Sequence, residues 1–146
     1  MTDTQTATKT QPAMPPVKGG VVAYHSIDGA AKAAEFYAKA FGAEIAMIQP
    51  VDEKGRTMHA HIYLNGSSIM MSDFYPEHGH PVVAPAAFNL MIPTGNIDAD
   101  YKRAVDAGCT ATMPPQDMFW GDRYGQLKDP FGVTWAMNQG KFSETQ

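Results

Sequence analysis

Hydrophobic and polar residues alternate in short runs along most of the chain, and two longer runs repeat at helical spacing instead. In the first half, residues 20–27 predict a strand and residues 28–42 predict a helix that ends at Gly42. Asn65-Gly66 predicts a tight hairpin turn. Three further runs predict strands: residues 43–51, 55–66 and 67–74.

The same order of elements recurs in the second half, after a loop that contains proline and histidine. Residues 87–93 predict a strand, and residues 95–108 predict a helix that ends at Gly108. An offset of 66 residues places Gly42 on Gly108, which indicates an internal duplication. The remaining predicted strands cover residues 109–115, 118–129 and 132–138. The predicted fold class is therefore α+β, with two paired βαβββ modules forming curved mixed sheets around a cup.

These elements divide the chain into one folded domain and two tails. Residues 1–19 are rich in Thr, Gln and Pro and carry no apolar stretch typical of a signal peptide, so we expect a disordered N-terminal tail. The other predicted parts are a single domain over 20–140, with module one at 20–74, a linker at 75–86 and module two at 87–138, and a C-terminal tail at 141–146.

Composition narrows the range of partners. The net charge of −4 and the scattered Lys and Arg residues argue against nucleic acid or an anionic membrane surface as the main partner. No apolar run is long enough to cross a bilayer. The single cysteine, Cys109, cannot form an internal disulfide, which fits a reducing compartment. We therefore expect a cytoplasmic protein whose partner is a small molecule.

Strand parity within residues 55–66 separates an apolar face from a polar one. Met58, Ala60, Ile62 and Leu64 form the apolar face, which we expect to pack under a helix. The polar face is expected to look into the cup and contains Thr57, His59, His61 and Tyr63. His59 and His61 are therefore predicted to line a pocket. The alternative is an exposed polar sheet face with no ligand.

Several residues around these histidines are further candidates for the site. Tyr24 and Met71 are predicted to contact a ligand, although methionine more often fills a core. His59 and Asp73 are the candidate acid/base residues, while Asp73 is alternatively a strand-end cap that binds backbone N–H groups. His25 has the opposite parity from Tyr24 and is expected to pack half-buried.

The stretch MFWGDRYGQLKDPFG (118–132) has the most unusual composition in the chain. Trp120 and Tyr124 could supply flat walls for a ligand, and Arg123 could bind an anionic group. Alternatively, Arg123 pairs with Asp122 or Asp129 and holds a hairpin together. The DPFG segment is typical of a turn, in which Asp129 has a structural role.

Four segments together resemble the vicinal-oxygen-chelate superfamily, which includes glyoxalase I, bleomycin-resistance proteins and extradiol dioxygenases, and within it the PhnB-like group. They are DGAAKAAEFYAKAFGAE (28–44), GRTMHAHIYLNGSSIMMSD (55–73), AVDAG (104–108) and MPPQDMFWGDRYGQLKDPFGVTWAMN (113–138). The resemblance implies the glyoxalase/bleomycin-resistance fold, commonly a homodimer, and a ligand cavity within the sheets.

The resemblance also locates the metal-ligand positions of the superfamily, near Val22, Met70, Asn89 and Ala136. Three of these residues are apolar and the fourth is a weak oxygen ligand, so we predict that the metal site is absent and that no cofactor is needed. A divalent metal such as zinc, held by His59 and His61, is the alternative. His78 and His80 repeat the same spacing, but they are expected in a solvent-exposed loop.

Three functions remain open from the sequence. The first is a metal-independent homodimeric protein that binds a small aromatic or anionic compound. The second is a metal-dependent lyase, isomerase or dioxygenase of glyoxalase type that uses His59 and His61. The third is a dimeric interaction protein without a ligand.

Overall fold

The computed structural model describes residues 14–140. Module one begins with strand β1 (Ala23–Ser26) and helix α1 (Ala30–Phe41). Three strands complete it: β2 (Glu44–Ile48), β3 (Ala60–Leu64) and β4 (Ser67–Ser72). The linker contains a short 3-10 helix at Pro76–His78. Residues 1–13 and 141–146, which make up most of the two predicted tails, lie outside the described residues.

Module two repeats this order of elements. It begins with strand β5 (Leu90–Pro93) and helix α2 (Ile97–Ala107). Its remaining strands are β6 (Thr110–Asp117), β7 (Arg123–Lys128) and β8 (Thr134–Gln139). The prediction of two βαβββ modules is therefore confirmed. Within the described residues, neither helix is both long and apolar enough to cross a membrane.

Each module forms its own four-stranded mixed sheet with the same topology. The strand order is β1-β4-β3-β2 in the first sheet and β5-β8-β7-β6 in the second. The first and last strands of a module are parallel neighbours, and the other pairs are antiparallel. In register, Tyr24 lies beside Met70 and Met91 lies beside Ala136.

One hydrophobic core joins the two modules. Tyr37 and Phe41 of α1 reach across to Trp135 of β8, with ring centroids 5.1 and 4.6 Å apart. Helix α1 also packs against α2. Both sheets therefore turn one face toward a shared core, and their opposite faces point away from it. The exposed side chains of Tyr24 and Met91 mark these outward faces.

The first turn of each helix is held by a side chain at the end of the last strand of its module. The Asp73 carboxylate accepts hydrogen bonds from the N–H groups of Gly29 (2.7 Å) and Ala30 (3.2 Å). The side-chain oxygen of Gln139 accepts one from Ile97 N–H (2.8 Å). Asp73 and Gln139 lie 66 residues apart, so the duplication indicated by the glycines extends to these contacts.

Asp129 organises the turn between β7 and β8. Its buried carboxylate accepts hydrogen bonds from the N–H groups of Phe131 (2.8 Å) and Val133 (2.9 Å), from Trp135 Nε1 (2.8 Å) and from the Tyr37 hydroxyl. Burial raises the pKa of Tyr37, and the neighbouring Asp129 charge raises it further. Asp129 thus takes the structural role expected of it, and it ties α1 of module one to module two.

Residues 14–18, which belong to the predicted N-terminal tail, lie against module one. The Lys18 N–H donates to Ser68 Oγ (2.8 Å), and the Ser68 N–H donates back to the Lys18 carbonyl (2.8 Å). The Tyr63 hydroxyl donates to the carbonyl of Pro16 (2.7 Å), and Lys18 Nζ lies 4.0 Å from the centre of the Tyr63 ring. This segment therefore covers part of the outward face of the first sheet.

Candidate functional site

Two adjoining cavities open on module one. The first, which we name the hairpin cavity, has a volume of about 620 Å³ and surrounds the β2–β3 connection. The second, the linker cavity, has a volume of about 610 Å³ and lies where β1 and β4 end and the linker begins. Their shared wall consists of Asp52, Arg56, Met58 and Tyr75. Cavities of this size suit a small organic ligand.

A turn at residues 52–56 shapes the shared wall. Asp52 Oδ1 accepts hydrogen bonds from the N–H groups of Lys54 and Arg56, both at 2.9 Å. Gly55 adopts a φ of +80°, a conformation that suits glycine, and its N–H donates to the Asp52 carbonyl. The Asp52 side chain therefore closes the turn on itself and directs Arg56 toward the linker.

Arg56 joins the hairpin loop to the linker. Its two terminal nitrogens bind both carboxylate oxygens of Glu77 (2.9 and 2.6 Å), while Nε binds Asp52 (3.0 Å). The guanidinium also lies over the Tyr75 ring, 4.5 Å from its centre. Hydrogen bonds from Arg56 lower the pKa of Glu77 to about 2, so this carboxylate is ionised at neutral pH.

Tyr24 and His59 form a hydrogen-bonded pair at the boundary of the two cavities. The Tyr24 hydroxyl lies 3.1 Å from His59 Nδ1, and the ring centres are 5.8 Å apart. Tyr24 lines the linker cavity and His59 lines the hairpin cavity. Tyr24 is 55% exposed. The structure thus brings these two predicted ligand contacts together. The other ring nitrogen of His59, Nε2, does not take part in the hydrogen bond to Tyr24.

His61 shares the outward face with His59, as the strand parity predicted, but it is only 2% exposed. Its Nε2 lies 2.7 Å from Ser68 Oγ, and the Tyr63 ring packs against it at 4.9 Å. Burial lowers the pKa of His61, and the neighbouring His59 lowers it further. His61 therefore supports the wall behind His59 and lines neither cavity.

The described residues contain no group of three or more His, Cys, Asp or Glu side chains placed to hold a metal ion. The His59 and His61 rings lie 6.3 Å apart, and one nitrogen of each is already hydrogen-bonded. The positions that the family resemblance assigns to the metal ligands lie near Val22, Met70, Asn89 and Ala136. This donor set does not fit a zinc-type centre, which needs imidazole, thiolate or carboxylate ligands.

Asp73 lines the linker cavity, and the hydrogen bonds that its carboxylate accepts come from backbone N–H groups. In addition to the two bonds at the start of α1, Oδ2 accepts the N–H of Thr57 at 2.8 Å. The Thr57 carbonyl in turn accepts the N–H of Asp73 at 3.0 Å. These contacts support the strand-end cap and not the catalytic base, because both oxygens of the buried carboxylate already accept hydrogen bonds.

Two methionines differ from their expected positions. Met71, expected to contact a ligand, is 0% exposed and lies in the core, because it pairs with His25 and Ala60 on the helix-facing side of the sheet. Met58, expected under a helix, is instead 72% exposed and lines both cavities. The reason is that β3 begins only at Ala60, so the strand alternation does not extend back to Met58.

The three candidates from the FWGDRYG stretch lie on module two and line neither cavity of module one. Trp120 is exposed at the turn before β7. Its ring meets the Tyr124 ring edge to face, and the ring centres are 5.9 Å apart. Arg123 binds Asp98 (3.0 Å) and Asp117 (3.2 Å) rather than the aspartates expected from sequence. The structure thus separates these residues from the Tyr24–His59 pair.

His25 packs half-buried, as expected, but both of its ring nitrogens are buried without a hydrogen-bond partner among the described residues. Burial lowers its pKa, partly opposed by the Asp129 charge. His78 and His80 are exposed, as expected of a loop, yet they also line the linker cavity.

Sequence reasoning missed the residues that form the cavity wall. Arg56, Tyr75 and Glu77 come from different segments, and their contacts bring the linker over the hairpin loop. Met14 also lines the hairpin cavity, although it falls in the predicted tail. The one signal available in the sequence was the turn DEKGR at 52–56, whose Asp and Gly are typical of a tight loop.

Comparison with known proteins agrees with this architecture. The family model of the Glyoxalase/Bleomycin resistance protein/Dioxygenase superfamily matches residues 26–137. The chain belongs to this superfamily. An uncharacterized protein of Mycobacterium bovis, Mb0911c, is 35% identical over 120 residues, which cover 77% of this chain and 78% of the relative.

Solved structures share the fold at lower identity. The PhnB protein from Bacillus cereus is 24% identical with a TM-score of 0.65, covering 84% of this chain and all of that one (100%). TnmS3, an antibiotic binding protein from a Streptomyces species, is 23% identical with a TM-score of 0.63, covering 90% of this chain and 100% of that one. At these identities the likeness shows the fold alone.

Proposed function

We propose that this chain binds a small molecule with an aromatic or apolar body in the adjoining cavities of module one, without the metal of the superfamily. The observation that carries the proposal is the shared wall, where Met58 and Tyr75 face two cavities of about 600 Å³ each. Tyr24 and His59 add flat rings with polar edges at the boundary. Such a lining, mostly apolar with a few placed polar groups, is typical of ligand sites.

The fold itself is compatible with this role. TnmS3, which shares the fold, is an antibiotic binding protein, so a domain of this architecture can serve binding. Fold alone does not assign a ligand, and the proposal rests on the cavities. We also propose a cytoplasmic location, because the sequence has one cysteine, Cys109, which cannot form an internal disulfide.

Binding can be tested with Met58→Gln, which makes the shared wall polar without altering the core. An aromatic fragment library is screened by ligand-observed NMR against the wild type and this variant. Fragments that bind the wild type and lose affinity in Met58→Gln support the proposal. If the same fragments bind the variant equally well, or if none binds the wild type, the proposal is contradicted.

A second candidate is an enzyme of lyase or isomerase type. It is favoured by the hydrogen bond between the Tyr24 hydroxyl and His59 Nδ1, because a tyrosine–histidine pair beside a cavity can move a proton. Metal analysis of protein purified without a His-tag separates the candidates. Stoichiometric zinc, nickel or iron that is lost in His59→Ala would favour the enzyme and contradict metal-independent binding.

We also propose that the chain forms a homodimer through the outward face of module two. Exposed apolar residues support this, among them Phe88, Met91, Phe119 and Trp120. Light scattering on the wild type should give twice the mass of one chain, and Phe119→Asp combined with Trp120→Asp should give monomers. A monomeric wild type would contradict the proposal.

A further inference from the structure

The side chains that line the linker cavity carry more negative than positive charge. Among the described residues, three carboxylates, Asp52, Asp73 and Glu77, line the linker cavity together with one guanidinium, that of Arg56. With the histidines neutral, the formal charge of the lining is −2. The adjacent Glu53 and Lys54 line neither cavity and offset one another. The cavity therefore lies in a negative field.

Arg56 is not available to bind an anionic ligand. All three of its side-chain nitrogens already bind carboxylate oxygens, at 3.0 Å to Asp52 and at 2.9 and 2.6 Å to Glu77. One face of the guanidinium is covered by the Tyr75 ring, and the side chain is only 19% exposed. Its positive charge is thus neutralised twice over by groups that hold it in place.

Arg123, which the sequence suggested as a group for binding an anion, shows the same arrangement. Arg123 binds Asp98 and Asp117 at 3.0 and 3.2 Å, on module two. In both places the guanidinium meets two carboxylates, so each local cluster carries a net negative charge. An anionic compound entering either place would displace a carboxylate or meet its repulsion.

The uncharged polar groups of the site accept as well as donate. The Tyr24 hydroxyl is 3.1 Å from His59, and the exposed Tyr24 side chain lines the linker cavity. An ammonium group is attracted both by an aromatic ring and by nearby carboxylates. From this geometry we infer that the ligand is a cationic aromatic compound, its ring on Met58 and Tyr24 and its positive charge toward Glu77 and Asp52.

This inference rests on the proposed binding function, and its test separates the two. Three probes that share a naphthalene ring and differ in the charge of one small substituent are titrated by calorimetry at low salt: 2-naphthylmethylamine, 2-naphthylmethanol and 2-naphthoate. The ammonium should bind about tenfold more tightly than the carboxylate, as expected for charges separated by a few ångströms near a protein surface. The difference should shrink as salt is added.

A variant that frees Arg56 should reverse the preference. Glu77→Gln removes one negative charge and one of the two partners of the guanidinium. It should weaken the ammonium probe and strengthen the carboxylate probe, each severalfold. Glu35→Gln makes the same chemical change on the exposed side of α1, away from the cavities, and should leave all three affinities unchanged.

The outcomes distinguish the two proposals. If the carboxylate probe binds as tightly as the ammonium probe, and Met58→Gln weakens both, the proposed binding in the cavity is supported and the charge inference is overturned. If Glu77→Gln leaves the order of affinities unchanged, the inference is also overturned. If no probe binds the wild type, or if Met58→Gln weakens none of them, the proposed binding function itself fails.

Discussion

The two modules share one architecture, but their outward faces differ. On module one, Tyr24 and Met70 are neighbours in the sheet, and the hairpin loop and linker build two cavities beside them. On module two, the corresponding neighbours are Met91 and Ala136, and neither has a titratable side chain. The comparison teaches that a duplicated fold can keep its helix and strand contacts while the outward faces of its two copies carry different side chains.

The difference begins at equivalent positions that end the last strand of each module. Asp73 accepts three backbone hydrogen bonds, two at the start of α1 and one from Thr57 in the hairpin connection. Gln139 accepts one, at the start of α2. The additional bond fixes the segment that carries Arg56 and Met58, so the cap of module one also positions its cavity wall.

The largest effect on the free energy of unfolding should follow from removing the side chains that cap the two helices, Asp73 and Gln139. Asp73→Ala leaves three N–H groups without their acceptor and should reduce the free energy of unfolding by about 3 kcal/mol. Gln139→Ala should reduce it by about 1 kcal/mol. Urea denaturation of the two variants measures both values, and equal losses would contradict the comparison of the two caps.

A second test compares the outward faces directly. Met58→Gln should weaken binding of an aromatic ligand about fivefold, because it removes apolar contact area from the shared wall. Met91→Gln makes the same change on module two, where Met91 is also exposed, and should leave the affinity unchanged. Calorimetry with one ligand and both variants measures this, and a larger loss in Met91→Gln would place the site on the wrong module.

A third test measures how the free energy of unfolding depends on pH, because the buried His61 of module one should contribute to that dependence. Burial lowers the pKa of His61 below its ordinary value of 6.5, so below that pH the unfolded chain binds a proton that the folded chain does not. The contribution of neutral His61 to stability is complete above pH 6.5 and is lost as pH falls toward its folded pKa.

His25 should act in the same direction, since burial also lowers its pKa. The free energy of unfolding is measured by urea denaturation at several pH values between 7 and about 5, the range in which histidine titrates. His61→Gln should reduce the slope of that plot, and so should His25→Gln. A slope that neither variant changes would show that these rings do not stay neutral in the folded chain.

The smallest effect is expected for Arg123→Ala. Its ion pairs with Asp98 and Asp117 are exposed, and surface pairs of this kind contribute little, so the loss in the free energy of unfolding should be smaller than that of Gln139→Ala. Ligand affinity should not change. A marked loss of affinity in Arg123→Ala would show that the FWGDRYG stretch takes part in ligand binding, contrary to this account.

Much of the fold was predictable because it depends on local patterns. Gly42 and Gly108 mark the helix ends, and His59 and His61 lie near one another as their spacing predicted, with ring centres 6.3 Å apart. The cavity wall was not predictable, because it depends on contacts across long stretches of chain. Arg56 meets Glu77 across 21 residues, and Asp73 meets Gly29 across 44. No periodicity encodes such pairings.

The failures with the two methionines have the same origin. The alternation of residues 55–66 is regular in sequence, but the chain forms a turn at 52–56 and β3 begins only at Ala60, so Met58 lies outside the strand. For Met71, parity alone left both faces open until its partners in the sheet were known. Pairing with Ala60 on one side and His25 on the other places Met71 in the core.

The central claim is that ligand binds on module one and not on module two. The most direct measurement is a titration of isotope-labelled protein with 2-naphthylmethylamine, followed by amide and methyl chemical shifts. We predict that the shifts cluster at Tyr24, Met58 and Tyr75, with the Met91 methyl unmoved. Shifts that cluster around Met91 and Ala136 instead would contradict the account.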